Sequence, residues 1–228
     1  MNDAICGILL IDKSKGWTSH DVVSYIRGAM KTKTGHSGTL DPMASGLLII
    51  LLGRATKLQE KYQKTPKTYL VETTLGTETD TWDAEGSIVR TAPVKDFTME
   101  DIVGALGQMS GVIKHPVPFY SAKKVGGVAM YKSARRGNNI FKESIVEIFK
   151  WEYISISEDK KINFKVTCGS GTYARSLAYM LAQKLGTVGH ISSLRRIEAG
   201  GFNVKDALNI EEVKKMTRED ILKCVKTL

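Results

Sequence analysis

Apolar and polar positions follow a strand-like period in four segments of the chain. Residues 163–168 alternate strictly, and residues 68–75 alternate with many β-branched side chains, which is typical of half-buried strands. Residues 7–11 and 47–52 are instead short, continuous apolar runs. These patterns predict two amphipathic strands and two strands buried in the interior.

Other segments repeat apolar residues every three or four positions. This period predicts helices over residues 18–31 and 98–109, each opened by a T-x-x-D capping box, and over residues 174–185, where a glycine follows the last turn. Residues 209–228 predict one or two short amphipathic helices. Residues 32–45 are rich in Gly, Thr, Ser and Pro and predict a loop that leads into a core strand.

The order of these elements indicates the fold class. Strands and helices follow one another irregularly, with hairpin-like neighbours, which favours an α+β fold with a mixed, mainly antiparallel central sheet and flanking helices. The chain has no low-complexity linker and no repeat period, so one continuous domain is the default expectation.

Charge adds an expectation about the partner. The 33 Lys and Arg residues exceed the 24 Asp and Glu residues, which gives a formal net charge of +9. Residues 102–142 and residues 160–197 each carry seven basic side chains and no acidic one. Any single lysine is more simply read as a solvated surface residue, but these long acid-free stretches together favour binding to phosphates.

Cysteine usage and hydropathy bear on the compartment. The three cysteines, Cys6, Cys168 and Cys224, are widely spaced and form no C-x-x-C pair, so neither a disulfide framework nor a zinc site is expected. The longest apolar run, residues 46–52, is too short to span a bilayer, and no signal peptide is recognisable. We therefore expect a cytoplasmic protein.

The first candidate for chemistry is an aspartate in a glycine-rich loop. Asp41 is the only carboxylate in residues 22–59, and Pro42 follows it, which disfavours a helical conformation at the aspartate. Without a second carboxylate or a His/Cys cluster nearby in the sequence, Asp41 suits a nucleophile or a lone acid/base better than a metal ligand. The alternative is a structural Asp-Pro turn.

Four sequence blocks, taken in order, resemble one enzyme family. Residues 35–42 read GHSGTLDP, and the full set of blocks is 35–42 with Ala44 and Gly46, 67–69 with 75–86, 120–123 with Gly127 and 131–137, and 171–177 with 189–190 and 194–196. In residues and spacing they resemble the bacterial tRNA pseudouridine synthases of the TruB family. The resemblance extends from Gly7 to about Leu208.

That resemblance implies a fold, a domain organisation and an activity. It implies the pseudouridine synthase fold with an active-site cleft across the sheet and a catalytic domain over residues 1–208; where most members carry an RNA-binding module, commonly of PUA type, we expect only a short helical tail over residues 209–228. It further implies that uridine 55 in the T loop of tRNA is isomerised to pseudouridine after base flipping, with no cofactor and no metal. Whether the aspartate attacks C1′ or C6 stays open.

The resemblance also assigns catalytic residues. Asp41 would be the nucleophile, and Arg175 would pair with it and keep the carboxylate ionised. Tyr69 would complete the catalytic set, because a phenol can hydrogen-bond or shuttle a proton.

The remaining pocket residues would bind the base. Tyr69 and Tyr173 would offer aromatic faces to the flipped uracil, and Leu194 would close the pocket by apolar contact. His36 would fill the space that the flipped base leaves, which concerns substrate capture more than chemistry. His20, His115 and His190 have no comparable context, so we expect structural roles for them, and His190 is the first candidate among the three for a contact with RNA.

Contacts to the RNA backbone are expected from the basic stretches. The candidates are Lys123, Lys124, Arg135, Arg136, Arg195 and Arg196.

Two other functions fit parts of the pattern. A guide-RNA-dependent synthase of the dyskerin type shares the aspartate loop, but residues 75–86 favour the stand-alone type. A tRNA-binding chaperone is the alternative from a different class. The expected partner is the T arm of tRNA, without a guide RNA, and the expected state is a monomer. Ser14 follows Lys13 where the family usually has proline, which should not affect the chemistry.

Overall fold

Strands and helices of the computed structural model are defined for residues 5–121, 123–125, 127–130, 134 and 141–227. The strands are β1 Gly7–Lys13, β2 Thr34–Ser37, β3 Ser45–Leu52, β4 Lys67–Leu75, β5 Thr77–Thr79, β6 Ile88–Thr91, β7 Gly111–Pro116, β8 Lys124–Val125, β9 Val128–Ala129, β10 Glu143–Ile156, β11 Lys161–Cys168, β12 Gly189–Ala199, β13 Phe202–Asn203, β14 Leu208–Asn209 and β15 Lys226–Thr227. The α-helices are α1 Ser19–Met30, α2 Gln59–Gln63, α3 Met99–Gly107, α4 Ala174–Lys184, α5 Ile210–Val213 and α6 Arg218–Lys223. Short 3-10 helices cover Gly53–Leu58 and Val204–Asp206.

The chain divides into two compact units, and the first comprises Met1–Tyr69 and Arg195–Leu228. Its strand order is β14-β1-β3-β12. β1 and β3 are antiparallel over their whole length, and β2 also pairs with β3 in antiparallel fashion. The end of β12 runs parallel to the start of β3, with Arg196 opposite Gly46.

Alternation along β1 and β3 buries apolar side chains on both faces of these strands. One face packs on α1, and its buried residues are Leu9, Ile11, Val22, Val23, Ile26, Met30, Leu48, Ile50, Leu52, Ile210, Val213 and Ile221. The other face buries Ile8, Leu10, Leu47, Ile49, Leu51, Ala55, Tyr62 and Ala199. Because α5 and α6 contribute buried residues to the α1 face, these two helices share its core.

The second unit comprises Leu70–Leu194. Its strand order is β12-β4-β11-β10-β7, and the long strand β10 pairs antiparallel with both β11 and β7. α3 contacts β10 and α4. Buried apolar residues of these elements include Ile102, Leu106, Phe164, Leu177 and Leu181.

Most of the predicted elements are confirmed. Both capping boxes are present, at Thr18 and at Thr98, and the predicted strands and helices occur with shifts of a few residues at their ends. The expected loop over residues 32–45 is wrong in part, because β2 lies within it and pairs with β3. The α+β class with a mainly antiparallel sheet is confirmed.

Candidate active site

Asp41 lies in a loop between β2 and β3, which we call the aspartate loop (residues 38–44). The loop is tied to α1 at Leu40, whose N–H donates to the Ser19 hydroxyl at 2.8 Å and whose carbonyl accepts from that hydroxyl at 3.0 Å. The Ala44 N–H donates to the Asp41 carbonyl at 3.1 Å and closes a turn. These hydrogen bonds fix the backbone of the loop. Asp41 is half-buried, so its side chain lies near the surface.

Two buried cations bind the carbonyls of this loop. The Lys13 ammonium donates to the carbonyl of Ala44 at 2.5 Å and to that of Trp17 at 2.7 Å. Arg196 donates from Nη2 to the carbonyl of Gly38 at 2.9 Å and from Nε to that of Leu47 at 2.7 Å. The guanidinium thus spans from one end of the aspartate loop to the strand after it.

The close approach of β12 requires a glycine at the start of β3. Gly46 has φ of +105°, and a Cβ there would lie 2.2 Å from the carbonyl oxygen of Arg196. Any side chain would push β12 and the Arg196 backbone away from the aspartate loop.

His36 lies on β2, opposite Ile50, and is half-buried. Burial lowers its pKa below the ordinary value, and the charges of Arg196 and His20 lower it further. Its Nδ1 atom is buried and has no hydrogen-bond partner among the described residues. The ring is therefore neutral near pH 7, which suits insertion into an apolar base stack.

Tyr69 lies on β4 and is buried, with 9% of its surface exposed. The strand start beside it is tied down on both sides. The Lys67 ammonium donates to the carbonyls of Gln63 and Thr65, both at 2.6 Å, and the Thr68 hydroxyl donates to Glu198 at 2.8 Å.

In the second unit, Arg175 lies in the first turn of α4, within a segment that we call the arginine turn (residues 171–177). Its side chain is 5% exposed. Nη1 donates to the carbonyl of Thr81 at 3.1 Å, and Nη2 donates to that of Tyr120 at 3.0 Å. Nη1 also lies 3.6 Å from the Asp83 carboxylate.

Asp83 is a site residue that our sequence reasoning missed. It is buried, and its Oδ1 accepts from the Thr81 hydroxyl at 2.6 Å and from the Glu85 N–H at 3.1 Å. The signal in the sequence is the set of four carboxylates in residues 75–86, of which Asp83 is the third. Asp83 places a fixed negative charge next to Arg175.

Tyr173 is the residue before α4, and β7 contacts it. Its N–H donates to Nε2 of His115 at 3.1 Å, and the two rings lie 5.8 Å apart. Leu194, on β12, is 6% exposed. His190 on the same strand is also largely buried, and its Nδ1 lies 2.7 Å from the Thr77 carbonyl.

The predicted RNA-backbone residues divide into three groups. Arg196 is 1% exposed and committed to two carbonyls, so its predicted contact with RNA is wrong. Arg195 is partly exposed and forms a bidentate ion pair with the Asp12 carboxylate, with N–O distances of 2.6 and 3.0 Å. Lys123 donates to the Ser144 hydroxyl. Lys124 belongs to β8, whereas Arg135 and Arg136 lie outside the described residues.

The described part of the chain holds no candidate metal site and no membrane-spanning helix. Within it, no three His, Cys, Asp or Glu side chains form a group that could hold a metal ion. None of its helices combines the length and apolar character that crossing a membrane requires.

The family model described as "TruB family pseudouridylate synthase (N terminal domain)" matches residues 27–174, which include the aspartate loop and reach the arginine turn. The chain belongs to the TruB family. It is therefore an enzyme of the isomerase class. The expected resemblance is confirmed.

TruB-family relatives match over most of the chain. The chain is 44% identical over 206 residues to tRNA pseudouridine synthase B of Caldicellulosiruptor saccharolyticus, covering 90% of this chain and 71% of that protein. It is 37% identical over 219 residues to tRNA pseudouridine synthase B of Opitutus terrae, covering 95% of this chain and 90% of that protein.

Solved structures show the fold of this TruB-family chain. A structure titled as a Cbf5-Nop10-Gar1 complex superposes with a TM-score of 0.73 at 24% identity, covering 97% of this chain and 60% of that chain. An H/ACA RNP bound to a substrate RNA containing 2′-deoxyuridine gives a TM-score of 0.70 at 22% identity, covering 97% of this chain and 59% of that one. The chain thus spans about three fifths of these solved chains, and the likeness concerns the fold alone.

Proposed function

We propose that this TruB-family chain isomerises uridine 55 in the T loop of tRNA to pseudouridine. The observation that carries the proposal is the aspartate loop. It includes Asp41 and most of the sequence block that resembles the family (residues 35–42 with Ala44 and Gly46), and the buried cations Lys13 and Arg196 fix its backbone. A nucleophile needs such a fixed carboxylate, because small displacements of a reacting group cost large factors in rate.

The proposed reaction needs no external reagent. The bond between N1 of uracil and C1′ of the ribose breaks, the base rotates, and C5 joins C1′. C5 loses its hydrogen as a proton and N1 gains a proton, so atoms and electrons balance. Asp41 forms a transient covalent bond to C1′ or to C6 and is released at the end.

This step would be supported by Arg175, Asp83 and Tyr69. In the proposal Arg175 stabilises the ionised Asp41 carboxylate, and its own orientation comes from Asp83 and two backbone carbonyls. Tyr69 lies on a strand start that neighbouring side chains hold in place, which suits an aromatic surface against uracil.

Other residues would capture the base. Tyr173 and Leu194 would line the pocket for uracil, and the neutral ring of His36 would occupy the gap left in the RNA stack. The unstacking of a base costs a few kcal/mol, so a side chain that fills the gap favours the flipped state.

The proposal includes a partner and a setting. The substrate is the T arm of tRNA, which suits the chain's net charge of +9. We propose that the enzyme works as a cytoplasmic monomer without a guide RNA, a cofactor or a metal.

The test is tritium release from a tRNA transcript labelled at C5 of its uridines. Wild type should release the label, and Asp41→Asn should release none above background, because the amide is a far weaker nucleophile. Asp96→Asn is the matched control, since the Asp96 side chain is 97% exposed and pairs with Lys160 at the surface. It should match wild type.

The position is tested by replacing uridine 55 of the transcript with cytidine. Release should then disappear, whereas an isolated T-arm stem-loop should still release the label. Full release from the cytidine-55 transcript would overturn the assignment of the site. Equal release by Asp41→Asn would overturn the nucleophile.

A further inference from the structure

We infer that His115 is a positioning residue that holds the arginine turn, and with it Tyr173 and Arg175, in the geometry of reaction. The inference rests on the proposed function, because these two residues are assigned there to the base pocket. His115 itself touches no substrate.

His115 bridges β10 and the arginine turn. Its side chain is fully buried on β7, opposite Ser144. Nε2 lies 3.1 Å from the backbone nitrogen of Tyr173, and Nδ1 lies 3.2 Å from the carbonyl oxygen of Ser144. A backbone N–H can only donate and a carbonyl can only accept, so Nε2 accepts and Nδ1 donates. The contacts require one tautomer of the neutral ring.

The arginine turn needs this support because of its place at a helix start. The first N–H groups of a helix lack partners within the helix, and tyrosine is not among the side chains that usually cap them. The ring of His115 accepts the N–H of Tyr173, the residue directly before α4. One residue along β7, the carbonyl of Pro116 accepts from the Ser176 hydroxyl at 2.6 Å. The last two residues of β7 therefore bind the first turn of α4, from which Arg175 projects.

Protonation of His115 would break this support. In the imidazolium form both ring nitrogens carry a hydrogen, so Nε2–H would oppose the N–H of Tyr173. Burial lowers the pKa of His115 below its ordinary value, and the positive charge of Lys123 lowers it further, while the hydrogen bond to Ser144 raises it.

Other charged groups on the adjoining elements have their own positions. On α4, Arg175 directs its guanidinium to Thr81, Tyr120 and Asp83. On β10, Glu143 and Glu147 are exposed, whereas the ring of His115 is buried. The ring is thus in its working, neutral form near pH 7.

Two substitutions separate the two hydrogen bonds. His115→Gln can place an amide oxygen where Nε2 lies and so keep an acceptor for Tyr173. His115→Asn reaches only the position of Nδ1 and keeps the donor to Ser144 alone. Both variants remove the ring, so a general loss of packing affects both.

The first readout is kcat and KM for tritium release at pH 7.5. We expect His115→Gln to stay within about threefold of wild type, and His115→Asn to lose about 10- to 100-fold in kcat with KM nearly unchanged, because a displacement of about 1 Å costs on that order. Equal kcat in the two variants, or a loss confined to KM, would overturn the inference.

The second readout is the pH profile of kcat. Wild type should lose activity as the pH falls through the lowered pKa of His115, below about 6.5, and His115→Gln should lack this limb. An identical limb in wild type and His115→Gln would contradict the inference.

A third readout does not depend on activity. Amide hydrogen exchange over residues 173–177, corrected for intrinsic rates, should be faster in His115→Asn than in His115→Gln, and faster in wild type at low pH than at pH 7.5. If wild type releases no tritium, the proposed function fails, but these exchange differences would still support the positioning role. Uniform exchange in all cases would overturn that role even in an active enzyme.

Discussion

The aspartate loop and the arginine turn are fastened by opposite chemistry. The aspartate loop offers carbonyl oxygens, and the buried cations Lys13 and Arg196 donate to them. The arginine turn offers an N–H group, and His115 accepts it. A guanidinium keeps its proton in proteins, whereas an imidazole accepts only while neutral. The contacts of Arg196 are therefore independent of pH, whereas the contact of His115 with Tyr173 requires the neutral imidazole.

The largest effect should follow removal of Arg196, one of the two cations that bind the aspartate loop. In Arg196→Met the carbonyls of Gly38 and Leu47 lose their buried donor, at about 1–3 kcal/mol for each in the free energy of unfolding. We expect kcat for tritium release to fall by about 100-fold as Asp41 shifts. Urea unfolding and single-turnover assays measure the two effects.

A spectroscopic readout sharpens this prediction. Since the charge of Arg196 helps to lower the pKa of His36, Arg196→Met should raise that pKa toward its ordinary value in an NMR titration. An unchanged His36 pKa together with normal kcat would show that Arg196 does not hold the loop.

A smaller effect is expected from a change that forces β12 and β3 apart. Gly46→Ala places a methyl group against the carbonyl of Arg196 at a backbone angle that disfavours any side chain, so we expect a loss of at least about 1–3 kcal/mol in the free energy of unfolding. Thermal and urea unfolding measure it.

Gly28→Ala is the matched control for that change. Gly28 lies in α1, and a Cβ there meets nothing within 4 Å. Alanine should stabilise the helix by about 0.5–1 kcal/mol. If both variants change stability in the same direction, the close approach at Gly46 is not the cause.

The contact of His115 with Tyr173 needs a neutral ring, so the stability of the protein should depend on pH. The pKa values of His36 and His115 are lowered in the folded state, so below the ordinary histidine value the unfolded chain binds more protons. The free energy of unfolding should fall as the pH drops below about 6.5, by at most about 1.4 kcal/mol per pH unit for each histidine. Urea titrations at several pH values measure this slope. His115→Gln should flatten it in part, and a slope equal to wild type would argue against the neutral buried ring.

The smallest effect is expected at Arg195, the neighbour of Arg196. Its pair with Asp12 is partly exposed, so Arg195→Gln should change stability by less than about 1 kcal/mol. If Arg195 also binds a phosphate, the variant should bind tRNA with modestly lower affinity. The slope of log affinity against log salt concentration should then decrease in magnitude by about one. Filter binding over a range of salt concentrations measures this. A 100-fold loss of kcat in Arg195→Gln would contradict the claim that Arg196 holds the aspartate loop and Arg195 does not.

Local chemistry was predictable, and long-range contacts were not. The capping boxes at Thr18 and Thr98 involve residues three apart, so the sequence alone reveals them. β2 escaped prediction because its four residues are mostly small and polar, and β3 supplies its hydrogen bonds. The pairing of Asp83 with Arg175 depends on the fold and has no local signature.

Arg195 and Arg196 show what a stricter use of periodicity would have gained. Neighbouring residues of a strand point to opposite faces, so both arginines of β12 could not face the same RNA. The sequence could have shown that the two side chains point to opposite faces of a strand, and the fold shows that the face of Arg196 is buried. The same holds for His115, where the sequence indicates a structural histidine and the fold supplies its two partners.

The most direct test of the central claim is to map pseudouridine on an unmodified tRNA transcript by carbodiimide modification and reverse transcription. After incubation with wild type we predict a single new stop that reports position 55, and none after incubation with Asp41→Asn. A stop only at other positions, or an equal stop with Asp41→Asn, would contradict the account.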